Sequence, residues 1–420
     1  MKKIDISNKE EISRLMNRSW LEFDETLNIV KKIIKEVREN GDLALITLTR
    51  KLDKYPLSKD NIRVSEKEID EAYSKVNAKF LAAVKKAKKN IEKFHKEQMK
   101  RIEKSFKVVV DDGIEIFEAM IPIERVGCYI PGGKSPYVST VLMTTIPAKI
   151  AGVEEIALAS PPEIKPEILV AADICGVREI YRVGGSQAIA ALAYGTETIK
   201  KVAKIVGPGN KYVALAKLLV FGDVGIDSLA GPSEVLIIAD DSSNPRYVAF
   251  DLLAQAEHDP NASAILITTS DELASKVIEE IENNENKFSD QIAIIIANDL
   301  EECIEFANQY APEHLEIQTK NPEEIAMKIK NAGTIFLGPY SPVVAGDYAS
   351  GANHVLPTSG SARFFSELSV RDFLRNVSVQ KIEKSGLEKL RETIKTLAAV
   401  EKMEMHLKSL EARFEKDEAL

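Results

Sequence analysis

From about residue 150 onward, short apolar runs alternate with longer amphipathic stretches. The segments Glu155 to Ala159, Glu179 to Val183, Lys204 to Val206, Glu234 to Ala239, Ala264 to Thr268, Ile292 to Ile296 and Thr334 to Leu337 read as buried strands. Helical periods lie between most of them, at residues 165–175, 186–194, 210–220, 245–258, 271–283, 300–309 and 322–331. Such alternation predicts an α/β fold with largely parallel sheets. Residues 1–105 read almost wholly helical, and residues 385–418 read as one long amphipathic helix or a bent pair. In that last segment Leu387, Leu390, Ile394 and Leu397 form an apolar stripe that needs a partner surface. No repeat and no low-complexity linker marks a domain boundary.

Length and composition narrow the class. A chain of 420 residues exceeds a single hydrophobic core, so two or more domains are expected. With 45% apolar and 29% charged residues, long disordered segments are excluded. A net charge of −9 argues against a nucleic-acid partner, although Lys85 to Lys104 is rich in lysine. There Leu81, Val84, Ala87, Ile91 and Phe94 recur at helical spacing, so the lysines read as the solvated face of a helix opening on a Ser65-x-x-Glu68 capping box. The start, Met1-Lys-Lys-Ile-Asp, lacks the apolar core of a signal peptide, and no uninterrupted apolar run reaches the roughly 18 residues of a membrane span. A cytoplasmic protein without a membrane partner is expected.

The three cysteines, Cys128, Cys175 and Cys303, are too scattered for a disulfide framework or a Cys-type zinc site. Cys175 and Cys303 read as small core residues, and only Cys128 falls inside a motif. Of the five histidines, His95 sits in the charged helix and reads as solvated. The other four, His258, His314, His354 and His406, fall after residue 250. In a helix started by Asn244-Pro245, Gln255 and His258 are three apart on one face and can share a metal, at an element end set by Asp259-Pro260. Taken alone, a Gln-x-x-His pair also reads as a surface polar pair. The small-residue segment Ala345 to His354 reads as a binding loop in which Asp347 supplies an anionic oxygen, and amide, imidazole and carboxylate together suit zinc or a neighbouring divalent metal. Glu313 and His314, adjacent after Pro312, read as a turn presenting an acid–base pair, or as an exposed turn without chemistry.

Two glycine-bearing loops lie upstream. Val183-Gly-Gly-Ser-Gln187 and Val206-Gly-Pro-Gly-Asn210 each follow a strand and open a helix, the geometry that offers backbone N–H groups to a phosphate. Neither completes G-x-G-x-x-G, because Tyr212 stands in place of the third glycine of the second loop. No G-x-x-x-x-G-K-[ST] run occurs, which disfavours a nucleoside-triphosphate engine.

Taken together these segments resemble the histidinol dehydrogenase family, from roughly residue 24 to residue 412. The resemblance rests on Arg125-Val-Gly-Cys-Tyr-Ile-Pro-Gly-Gly133, Arg182 to Gly195, Ile205 to Asn210, Ala230-Gly-Pro-Ser-Glu234 and Gly346 to Pro357. It implies NAD contacts from Tyr129, Gln187 and Asn210, and one zinc per subunit held by Gln255, His258, Asp347 and His406. It implies substrate contacts from Ser233, His354 and Glu401 alongside the metal ligands and His314, and a catalytic pair Glu313 and His314 that oxidises L-histidinol to L-histidine. The implied fold is two incomplete Rossmann-like domains with parallel sheets and small helical extensions. The implied division is residues 1–23 as an N-terminal extension, 24–128 with 234–368 as the metal-bearing domain, 129–233 as the NAD domain, and 369–420 as an arm. That arm is implied to reach the partner in a homodimer with a shared active site. The rival readings are a zinc and NAD dehydrogenase of another small polyol or sulfonated alcohol, and a zinc hydrolase in which Glu313 activates water without a dinucleotide.

Overall fold

The computed structural model describes residues 3–18, 24–103, 105–132, 135–229, 231–284 and 286–415. Gly133 and Ala230, which end and begin two of the quoted motifs, lie outside them. The chain divides into two compact units, residues 1–99 with 123–373, and residues 100–122 with 374–420.

In chain order, β1 (Lys3–Asp5) opens the first unit, while β2 (Ser105–Asp111) and β3 (Ile114–Pro122) belong to the second. Next come β4 (Arg125–Tyr129), β5 (Glu155–Ser160), β6 (Glu179–Arg182), β7 (Lys204–Val206) and β8 (Gly225–Ile226). They form an all-parallel sheet in the order β6-β5-β4-β7-β8. The strands β9 (Glu234–Ala239), β10 (Ser263–Thr268), β11 (Ile292–Ile296), β12 (His314–Gln318) and β13 (Thr334–Leu337) join β1 in a second parallel sheet, ordered β1-β11-β10-β9-β12-β13. The α/β architecture with parallel sheets predicted from the alternating pattern is present. Both sheets run as apolar strands covered on both faces, as parallel sheets must be when crossover helices pack on them. Alternation sorts the second sheet's core: Val235, Ile237 and Ala239 pack with the helices Pro245–Ala256 and Asp271–Asn284, whereas Leu236, Ile238, Leu315 and Ile317 pack with Leu300–Tyr310.

The second unit is built differently. Here β14 (Leu374–Ile382) and β2 flank β3 in an antiparallel sheet, followed by the helices Lys384–Val400 and Glu404–Glu411. The C-terminal segment is thus the bent pair among the two shapes expected for it. Val109 and Val110 of β2, and Leu397 and Val400 of the helix, are exposed.

Several local expectations are corrected. The capping box forms, with Ser65 and Glu68 bonded reciprocally, but it opens the short helix Glu66–Ala72, and the lysine-rich helix is a separate element, Ala78–Lys100. His95 is fully buried, its Nδ1 on the Ile91 carbonyl, because the apolar stripe of that helix is wide enough to take it in. The region up to residue 105 contains β1 and reaches the first residue of β2, and the helix expected at 322–331 stops at Ala326. A strand so short, or one as exposed as β2, carries too little periodicity to be distinguished by pattern.

Candidate active site

Strand β12 begins at His314, in register with Val235 of β9 and Thr334 of β13. Glu313 and His314 are therefore not on an exposed turn: both are buried at the start of a central strand. Gly333 lies so close that a Cβ there would stand 2.5 Å from the Glu313 carbonyl oxygen, which fixes how tightly the neighbouring chain can pass.

One residue holds both. The Glu234 backbone N–H donates to Glu313 Oε2 at 2.7 Å, and His314 Nδ1 lies 2.9 Å from the Glu234 carbonyl oxygen. A carbonyl can only accept, so Nδ1 carries the proton and Nε2 keeps its lone pair. That Nε2 is buried, without a hydrogen-bond partner, and 3.9 Å from Asp347 Oδ1. The Glu234 carboxylate is itself fixed by Arg18 at 2.6 Å and by the Ser359 N–H at 3.2 Å.

Burial displaces the acidity of every group here. It pushes the His314 imidazole down to about 4, against the pull of its hydrogen bond to the Glu234 carbonyl and with help from the neighbouring His258 and His354 rings, so His314 is neutral across physiological pH. His354, with Nδ1 bonded to the Asp347 carbonyl at 2.9 Å, is lowered to about 4 for the same reason. Asp347 is raised to about 6 by burial, and Glu313 is raised well above the usual carboxyl range by burial and by the nearby Glu234 and Asp347 charges. Asp347 lies in a short helix, Val343–Tyr348, rather than in the loop expected from its small-residue context. The helix Pro245–Ala256 stops two residues before the expected end at 258, so His258 lies just beyond it rather than on one helical face with Gln255. Gln255 is buried, and neither its amide oxygen nor its nitrogen has a partner. Buried polar atoms left without partners are rare, and a cluster of them marks a place where something else binds. Ser233 immediately precedes β9, whereas Glu401 and His406 belong to the second unit.

The first parallel sheet carries the other predicted residues. Tyr129 closes β4, and its hydroxyl accepts the N–H of Gly185 at the start of the helix Gly185–Tyr194. Gln187 lies two residues along, its amide 3.4 Å from Asp53. Asn210 caps the helix Lys211–Val220, accepting from Tyr212 and Val213. Between them Gly207 takes φ +117°, and a Cβ there would meet the Tyr129 carbonyl oxygen at 2.2 Å. Both backbone groups of Gly207 are held by a buried ion pair: Asp227 accepts its N–H at 2.7 Å, and Lys217, bonded to Asp227, donates to its carbonyl at 3.1 Å. Strand order reverses between β4 and β7, so these loops flank the crevice where doubly wound sheets take ligands. Cys128, alongside, is fully buried and its thiol is raised to about 12, which leaves no reactive thiolate.

Glu234, Arg18, Lys217 and Asp227 have no assigned role in the sequence reading. Glu234 stood inside a quoted motif, but that it would act through its main chain has no sequence signature. Strand β12 did carry a signal: His314, Glu316 and Gln318 are polar at every second position of a strand whose alternate residues are Leu315 and Ile317.

Two parallel sheets, a switch-point crevice edged by glycine loops and a buried imidazole–carboxylate pair define an α/β enzyme of Rossmann-like construction. The histidinol dehydrogenase family profile matches residues 16–414. Histidinol dehydrogenases of Methanocaldococcus jannaschii and Methanococcus maripaludis are 52% and 47% identical to the chain, covering 98% of it and 98% and 99% of their own lengths. The crystal structure of histidinol dehydrogenase from Elizabethkingia anophelis superposes with a TM-score of 0.88 at 40% identity, covering 96% of each chain. The chain belongs to the histidinol dehydrogenase family, oxidoreductases of histidine biosynthesis.

Proposed function

We propose that this chain oxidises L-histidinol through L-histidinal to L-histidine, delivering two hydrides in turn to NAD, in a homodimer whose sites are shared. The observation that carries the reading is His314: neutral, buried, with Nδ1 committed to Glu234 and Nε2 free beside Asp347. The donors fit zinc. Gln255 has an unpartnered buried amide, Asp347 a buried carboxyl, and His258 an imidazole whose proton affinity desolvation lowers. Among the described residues, no three His, Cys, Asp or Glu side chains gather tightly enough to chelate an ion, so the first unit offers an incomplete set. His406 of the partner subunit would complete it, and the exposed Leu397 and Val400 on the preceding helix support an arm that packs on another chain.

When bound, zinc would polarise the substrate oxygen and bring the positive charge that lets Glu313 ionise, and NAD would accept the hydrides. His314 Nε2 takes the alcohol proton in the first oxidation. Glu313, pinned at Oε2 by Glu234, has its other oxygen free to draw a proton from the water that hydrates the aldehyde. His314 then takes the hydrate's proton in the second oxidation. Tyr129, Gln187 and Asn210 would line the NAD crevice, and Ser233, His354 and Glu401 the substrate. The domain limits at 24–128 with 234–368, and at 129–233, belong to this reading, whereas β4 pairs with β5 and β7, and Val30, Val37 and Leu45 share the core of that sheet.

The test is stoichiometric. Purified protein with zinc and NAD should reduce two NAD per L-histidinol consumed and release histidine. A preference for another polyol or a sulfonated alcohol, or hydrolysis without NAD reduction, would overturn the reading.

A further inference from the structure

Below His314 on the same face of β12 lie Glu316 and Gln318, both buried. The Gln318 amide nitrogen donates to Glu316 Oε2 at 2.8 Å and to Asp251 Oδ2 at 3.0 Å, and Glu316 Oε1 accepts the Val343 N–H at 2.9 Å. One amide therefore bridges two carboxyl groups in the core. Among the described residues, no Lys, Arg or His stands within ion-pair distance of either. Two carboxylates so placed cannot both be charged: without a cation, one must keep its proton and donate it to the other.

We propose that Asp251 and Glu316 share one proton, and that the resulting carboxyl–carboxylate bond is a positioning latch joining the three elements that carry the site. Asp251 lies one helical turn before Gln255 on Pro245–Ala256. Glu316 lies two residues beyond His314 on β12, and the Val343 N–H that it fixes opens the helix bearing Asp347. Each end of the latch is thus one repeat away from a metal donor or the proton acceptor, on the same face of its element. The groups facing Glu316 are Asp251 from the helix and His314 and Gln318 from its own strand. The paired strands present Ile237 and Phe336, which are apolar, and Asp347 lies a turn further along its helix.

Burial and the neighbouring Asp251 push the Glu316 carboxyl up to about 8, far above its value in an unfolded chain. The folded protein then binds this proton more tightly than the unfolded one does. The pair's contribution to stability is accordingly complete below about pH 4 and drains away as the pH rises to about 8.

Glu316→Gln and Asp251→Asn each place a permanent N–H where the shared proton lies. The consequence for turnover rests on the site reading above, but the proton does not, so the first measurement uses chelator-treated protein without substrate. The melting temperature of wild type relative to either variant should fall by several degrees between pH 5 and pH 9. An infrared band of a neutral buried carboxyl should be present in wild type at pH 7 and weakened in the variant. Zinc affinity, measured by competition with a chelator, should decline more steeply above pH 8 in wild type than in Glu316→Gln, while kcat at pH 7 stays within about threefold. If one variant does not fold, the other carries the same N–H, and the wild-type band is read regardless. Parallel melting profiles, or no neutral-carboxyl band in wild type at pH 7, would overturn the shared proton. Diverging profiles with identical zinc affinities would overturn the latch.

Discussion

The two parallel sheets of the first unit use buried charge in opposite ways. In the β4–β8 sheet, ionised side chains serve the backbone: Lys217 and Asp227 grip both polar groups of Gly207, and the loop they shape offers main-chain N–H groups to a ligand. In the β9–β13 sheet, backbone serves the ionisable side chains: the two main-chain polar groups of Glu234 hold Glu313 and His314. The ends used differ as well. Tyr129 and Gly207 lie at the carboxyl ends of β4 and β7, whereas Glu234 and His314 stand at the amino ends of β9 and β12. An ion pair closed on itself leaves its surroundings neutral, which suits recognition by shape and dipole. Acidic and imidazole groups held by neutral main chain feel burial in full, which suits proton transfer near neutral pH.

The largest effect expected from this contrast is at His314. His314→Asn should lower turnover in both oxidations by about 10²- to 10⁴-fold with zinc and NAD binding retained, as measured by single-turnover NAD reduction from histidinol and from histidinal. Glu313→Gln should fall about tenfold or more in the aldehyde step only, and equal loss in both steps would remove the division of labour. Next comes completeness of the site. Mixing inactive His258→Ala with inactive His406→Ala should restore about a quarter of wild-type activity, since half the exchanged dimers carry one intact site of two. Subunit exchange seen by mass spectrometry without recovery would place His406 in its own chain's site.

The smallest catalytic effect is expected in the sheet where charge serves backbone. Lys217→Met leaves Asp227 buried and unpaired, which should cost about 3–5 kcal/mol of stability and lower the melting temperature by roughly 10 °C. The KM for NAD should rise while zinc content and kcat at saturating NAD hold. A fall in kcat with unchanged KM would mean that the two sheets are not divided in this way.

Strand–helix alternation, helix stops and most strand limits of the parallel sheets were legible in the chain, because burial on both faces writes a local apolar signature. Gln255 with His258, and the cluster Gly346 to His354, were legible as candidate donors because residue types and short spacings single them out. The short edge strand β1 and the solvated antiparallel strands β2, β3 and β14 were not, since their partners lie far along the chain and their own composition is mixed. His95 shows the same limit in a single residue: a charged helix surrounds it in sequence, yet packing buries it.

By itself, then, the sequence determined the alternating parallel architecture, the glycine loops and which residues are the candidate donors. Tertiary structure alone decided the protonation states. Whether His314 is neutral, whether Glu313 holds a proton and whether Asp251 and Glu316 must share one depends on which polar atoms burial brings within 3 Å of each other. Those atoms come from residues as far apart as Glu234 and His314, or Asp251 and Gln318, and desolvation acts on the packed neighbourhood that they form rather than on any stretch of chain.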